Sequence, residues 1–224
     1  MTDQSPSSHL RMLFELALED YQINTKIPLA EHPLAQELND CHSVESITTL
    51  LHHHARSLGQ FRGRDRIMKS IKSTVSSLYK LSATDALGDG TGLVRQKMPM
   101  MAGHVSDIAI QALPPAKALH TALGVLLAVC TSYILAWRIR YDTRVHQAAK
   151  GAVDSYDAVV DLLEAIEHLL KHLDIYTEIP ATPAMDELVV KIMMELLSAL
   201  GVATKELNQG RPSESVLTDT LHIL

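Results

Sequence analysis

Residues 151–211 hold two runs in which apolar side chains return every three or four positions. The first uses Val153, Tyr156, Val160, Leu163, Ile166 and Leu170; the second uses Val189, Ile192, Met193, Leu196, Leu200 and Ala203. An α-helix turns once in 3.6 residues, so this spacing gathers each set onto one face, whereas a strand would need strict alternation. Pro180 and Pro183 bound the segment between the runs. Proline lacks an amide hydrogen and fits a helix only in its first turn. Thr182 is therefore an N-cap, with Pro183 first in the helix and Asp186 and Glu187 in its opening turn. The pattern predicts helices over about 148–176 and 183–210, folded as a hairpin.

The rest of the chain reads the same way. Leu10, Leu13, Phe14, Ala17, Leu18 and Tyr21 form a helical face within 8–24, and Pro28 stops it. Pro33 opens a short helix to about Asn39. Ser43 caps a third helix, striped by Val44, Ile47, Leu50, Leu51, His54 and Leu58. Ile67, Ile71, Val75 and Leu78 mark a fourth, over about 64–81. Gly88, Gly90 and Gly92 interrupt helical order, which resumes at Pro114-Pro115 with Leu119, Leu123, Leu126 and Leu127. No strand alternation or internal repeat is present. The fold class predicted is all-α, a multi-helix bundle ending in a long antiparallel helical hairpin.

Aromatic residues make up only 4% of the chain, and Leu, Ala, Ile, Val and Met supply the apolar mass, as helix packing favours. A net charge of −6 leaves no overall basic footprint for nucleic acid. Two cysteines, Cys41 and Cys130, are too few for a disulfide framework, and residues 1–13 lack a basic-then-apolar leader. Both point to a reducing, cytoplasmic setting. One segment pulls the other way. Ala118 to Trp137 carries no charge and is flanked by Lys117, Arg138 and Arg140, which qualifies it as a transmembrane candidate. His120, Thr121, Gly124, Thr131 and Ser132 within it favour a buried core helix.

No grouping with catalytic chemistry stands out. His52, His53 and His54 are adjacent, so on a helix they point about 100° apart and cannot share one ion. His168 and His172 sit at i, i+4 beside Glu164, without a recognised zinc motif. Gly88-Asp89-Gly90-Thr91-Gly92 lacks both a preceding strand and a following Lys-Ser or Lys-Thr, so it reads as a connection and not a phosphate cradle. Glu164/Glu167 and Asp157/Asp161 fall on a polar helix face. No nucleophile–base signature is present. The expectation is a protein without catalysis, metal or cofactor. Met185, Met193 and Met194 are its candidate interaction surface, because methionine adapts to varied partners.

The strings HPLAQELNDCHSVESI (32–47), RIMKSIKSTVSSLYKLSA (66–83), PPAKAL (114–119) and the run from Asp154 to Arg211 together resemble one family, the fungal STAND N-terminal Goodbye domain. The likeness covers about 10–93, 112–128 and 148–211 and is one of whole-segment pattern. It implies an all-α module that stands ahead of a nucleotide-binding domain in fungal NLR-like receptors and passes on a signal when the receptor oligomerises. Some related fungal receptor N-termini, the HeLo-type domains, act on membranes in cell death. No GxxxxGK[ST] loop occurs here, so nucleotide hydrolysis is not expected.

Residues 94–111 and 129–147 have no counterpart in that pattern. Val94-Arg95 and Val129-Cys130 can be encoded GTACGT and GTATGT, like fungal 5′ splice sites. Each stretch ends in Gln, which CAG can encode, and Ser106-Asp107 can encode a branch-point-like TCTGAC. Their lengths, 18 and 19 codons, suit fungal introns. Nineteen extra residues also rotate a helical stripe by about 100°. We read both as retained introns, with a lineage-specific insertion as the alternative. The expected organisation is a Goodbye-like helical domain over 1–211, broken by these stretches, then a short tail over 212–224. Its expected role is a non-catalytic signalling and interaction module, using protein partners or self-association through helices. The alternatives are a membrane-active cell-death domain and a single-pass membrane protein through 118–137; membrane contact is not favoured.

Overall fold

The computed structural model describes residues 6–55, 64–82, 114–140, 146–174 and 182–209. Among them are seven α-helices and no strand: α1 (Pro6–Thr25), α2 (Pro33–Glu37), α3 (Val44–His54), α4 (Arg64–Ser82), α5 (Pro115–Arg140), α6 (His146–Asp174) and α7 (Pro183–Asn208). Single 3₁₀ turns at Leu29–Glu31 and Leu38–Asp40 flank α2. The all-α class read from the stripes is the class observed.

Local chemistry sets the boundaries. α1 stops because Lys26 takes a left-handed φ of 63° and its amide donates to the Gln22 carbonyl. The Thr25 hydroxyl also donates back to the Tyr21 carbonyl, and Pro28 follows. At the start of α3, Ser43 and Ser46 form a reciprocal capping box. At α7 the Thr182 hydroxyl accepts from the Met185 amide, with Pro183 in the first turn, as the sequence predicts.

α5 is the central helix. It packs against α2, α3, α4, α6 and α7. Being apolar all round, it has no face suited to water and is covered on several sides. Leu119, Leu123, Leu126, Leu127, Cys130 and Ile134 are all buried. The candidate span is thus built into the bundle: 21 residues, Pro115–Leu135, are long and apolar enough to cross a membrane, and two-thirds of that stretch is covered by protein.

α5 continues past residue 128 without a break. Cys130 and Ile134 join the core, and the Thr131 hydroxyl donates to the His54 carbonyl at 3.0 Å. The beginning of the 129–147 stretch is therefore core-forming. Residues 94–111, the Gly88–Gly92 segment, the Pro180 turn and the 212–224 tail lie outside the described residues.

The two C-terminal helices find their main partners elsewhere than in each other. α6 lies along α4, and α7 packs against both α5 and α1. α4 and α6 run parallel: Arg66 meets Glu164, Ser70 meets Glu167 and Lys80 meets Asp174, the numbers rising together. α6 and α7 do share the centre of the core. Ile166 and Leu170, Leu196 and Leu200, Thr74, Leu78, Leu119 and Leu123 surround a void of about 10 Å³. Of the residues expected in that register, Leu163, Ile166, Leu170, Leu196 and Leu200 are buried, while Ile192 is only partly covered.

One contact depends on a missing side chain. A Cβ on Gly124 of α5 would stand 2.1 Å from Leu34 Cδ2 and 3.0 Å from Leu51 Cδ2. Leu34 and Leu51 are both buried and cannot swing into solvent. Gly124→Val should cost about 3 kcal/mol through overpacking, read as a lower midpoint in denaturant melts.

Candidate interaction surface

The polar face expected around Glu164 and Glu167 is a seam between α4 and α6. Arg66 Nε and Nη2 donate to the two Glu164 carboxylate oxygens at 2.8 Å each, in the open. Glu167 is only 8% exposed. It accepts from the Ser70 hydroxyl at 2.7 Å and from Lys171 Nζ at 2.5 Å. Burial pulls its carboxyl upward, but donation from Lys171, Ser70 and Ser73 outweighs that and holds it below the usual range. Glu167 is thus an anchored structural carboxylate and not part of a solvated face. Asp157 and Asp161 are exposed.

The histidines pair with one another and gather no carboxylate or thiol into a metal site among the described residues. His168 and His172 are exposed and meet edge to face at 4.5 Å between ring centroids, while Glu164 is engaged by Arg66. His53 is exposed, with His52 and His54 half-buried on either side. No group of three or more His, Cys, Asp or Glu that could hold a metal occurs among the described residues. His120 is wholly buried in α5, where loss of solvent drives its pKa down to about 4 despite a hydrogen bond to the Val75 backbone. Burial pushes the Cys130 thiol up to about 12, which removes it as a nucleophile at neutral pH. The central void has room for roughly one water and presents mainly aliphatic side chains, so no substrate fits there.

Met185, Met193 and Met194 do not form a common surface. Met193 is fully buried, Met194 packs partly against the core, and Met185 is half-buried in the first turn of α7. Met193 is covered within the folded bundle.

Among the described residues, three of the five large apolar side chains left exposed lie on α1. Phe14, Tyr21 and Thr25 of this helix are buried, and Tyr21 lies over Gly201 of α7. Burial raises the Tyr21 phenol to about 12, a shift softened by the nearby Thr204 hydroxyl. On the opposite side Met12, Leu16 and Ile23 are 50%, 51% and 56% exposed. Steps of four and seven residues bring these three onto a single stripe. Arg11, Glu15, Glu19 and Asp20 are exposed along the same helix, with Arg11 Nε paired to Glu15 at 3.1 Å. Sequence periodicity marks the Leu10–Tyr21 face of α1; the 12–16–23 spacing is the sign of a second. Leu188 of α7 and Leu135 of α5 are the other large apolar side chains left exposed among the described residues.

Comparison of the chain with models of known protein families, with curated proteins and with solved structures gives no match in any of the three.

Proposed function

We propose that this chain is a non-catalytic helical module that works by protein association, of the Goodbye-domain kind that precedes the nucleotide-binding domain of fungal STAND receptors. The observation that carries this reading is the outward stripe of α1. On a helix that already packs on α7, Met12, Leu16 and Ile23 line up as one half-exposed apolar stripe, the kind of contiguous surface that marks an association site. The partner we assign to it is a second copy of the chain. Two such faces would bury apolar stripes together while bringing Glu15, Glu19 and Asp20 close to their counterparts. Association should therefore strengthen with added salt, as screening relieves that repulsion.

Sedimentation velocity across a concentration series tests this. The unaltered chain should shift to faster species as concentration rises. Met12→Gln/Leu16→Gln/Ile23→Gln, which adds no charge beside Glu15, Glu19 and Asp20, should stay monomeric and still melt cooperatively, because all three side chains are half-exposed. A wild-type chain that stays monomeric at every concentration and salt would overturn self-association.

A second reading rests on α5. Its 21-residue apolar stretch would suit a membrane-active domain that opens and inserts, or a single-pass anchor through 118–137. Carbonate extraction of membranes from cells expressing the chain separates this from the first reading. Resistance to extraction favours insertion of α5; release into the supernatant favours the associating module.

A further inference from the structure

Residues 29–40 form a strap across the central helix. Leu29, Leu34, Ala35 and Leu38 are buried, and Leu34 fills the notch that Gly124 leaves in α5. The strap has little strength of its own, since α2 is only five residues long and single helical turns are marginal without tertiary support. Its N-cap is His32, a residue type not prominent among helix caps. His32 Nδ1 accepts the Leu34 amide hydrogen at 3.2 Å.

An imidazole nitrogen accepts a hydrogen bond only while it carries no proton. Protonation of Nδ1 turns the acceptor into a donor aimed at another donor, so the cap is lost on the residue that seats the strap. Two ionisable groups act directly on the His32 ring. His54, the last residue of α3, opposes a charge on His32, while Glu37 of α2 attracts charge on both rings; His53 also opposes charge on His54. His54 Nε2 is buried without a hydrogen-bond partner. Glu31 and Asp40 lie on the strap itself, and Lys117 of α5 donates to Asn39 at its far end. Burial is the largest cause holding both His32 and His54 below the ordinary imidazole value, so the closed strap prefers them neutral.

We propose that His32 makes residues 29–40 an acid-released latch over α5. With Nδ1 free to accept, α2 stays capped and Leu34 stays against Gly124. When His32 is protonated, with His54 charging beside it, the strap lifts and bares the part of α5 beneath. The latch stands apart from the α1 stripe and from the association assigned to it.

Hydrogen–deuterium exchange of the full chain, corrected for intrinsic rates, tests the latch. Between about pH 7 and about pH 5, which spans the usual imidazole titration, peptides from 29–40 should lose about tenfold in protection while α4 peptides keep theirs. His32→Asn supplies a cap acceptor that does not titrate, and should abolish most of that loss. His54→Gln should reduce it in part. An undiminished loss in His32→Asn would overturn the latch. So would loss of protection in 29–40 only when α4 opens too, because that is global unfolding and not release of the strap.

Discussion

Leu196→Ala should lower the unfolding free energy by about 2–5 kcal/mol, among the largest effects expected of a single core truncation here. Leu196 is 1% exposed and lines the central void where α4, α5, α6 and α7 converge. Removing its isobutyl group enlarges a space that is already unfilled, and four helices would have to shift together to close it. The cost therefore combines lost transfer energy with an uncollapsed cavity. Urea melts at neutral pH read it as a lower midpoint with an unchanged slope. A loss below about 0.5 kcal/mol, the range of an ordinary surface substitution, would place Leu196 on the surface and break the register of α7.

Acid should weaken the bundle through His120. Its folded-state pKa of about 4 lies below the ordinary 6.5, so the unfolded chain takes up the proton first. The stability that this neutral ring supports is complete above about pH 6.5 and is lost as pH falls from there to about 4. The two pKa values imply roughly 3 kcal/mol over that window. His120→Leu keeps an apolar side chain in α5 and has nothing to titrate. Denaturant melts at a series of pH values should show wild-type stability falling toward acid more steeply than the variant's. Parallel curves would mean that His120 is hydrated or charged in the folded protein. His32 and His54 titrate in the same direction but act on the 29–40 strap, which local exchange separates from this global slope.

Much of the fold was legible because its signals are local. Ser43 and Thr182 are caps whose partners lie three residues on, and Pro33 and Pro183 fit only a first helical turn, so these boundaries could be placed from a few letters. Stripes also told which face of each helix is buried. They did not tell against what. α6 was expected to lie chiefly on α7, its neighbour in sequence, yet it lies along α4, nearly a hundred residues earlier. The side chains that fix this pairing, Arg66, Ser70, Glu164 and Glu167, look like ordinary polar-face residues until the two helices are brought together.

Helix α5 shows a different limit. Its apolar stripe is broad and its phase weak, so the reading of 129–147 as a retained intron rests on codon arithmetic and on the roughly 100° by which 19 residues rotate a stripe. In the structure the helix continues, and Cys130 and Ile134 fill core positions. The exposed apolar stripe of α1 is hard to see in the sequence for a related reason. Methionine content drew attention to α7, where Met193 belongs to the core, while the 12–16–23 stripe of α1 is sparse and interrupted by Glu19 and Asp20. Exposure, and not residue type, distinguishes the two.

The most direct test of an associating module is amide exchange of the unaltered chain at low and at high protein concentration. If α1 carries the association, protection should rise with concentration in peptides from Pro6–Thr25, and α5 should be unchanged. Protection that is independent of concentration throughout, or that rises on α5 instead, would contradict the account.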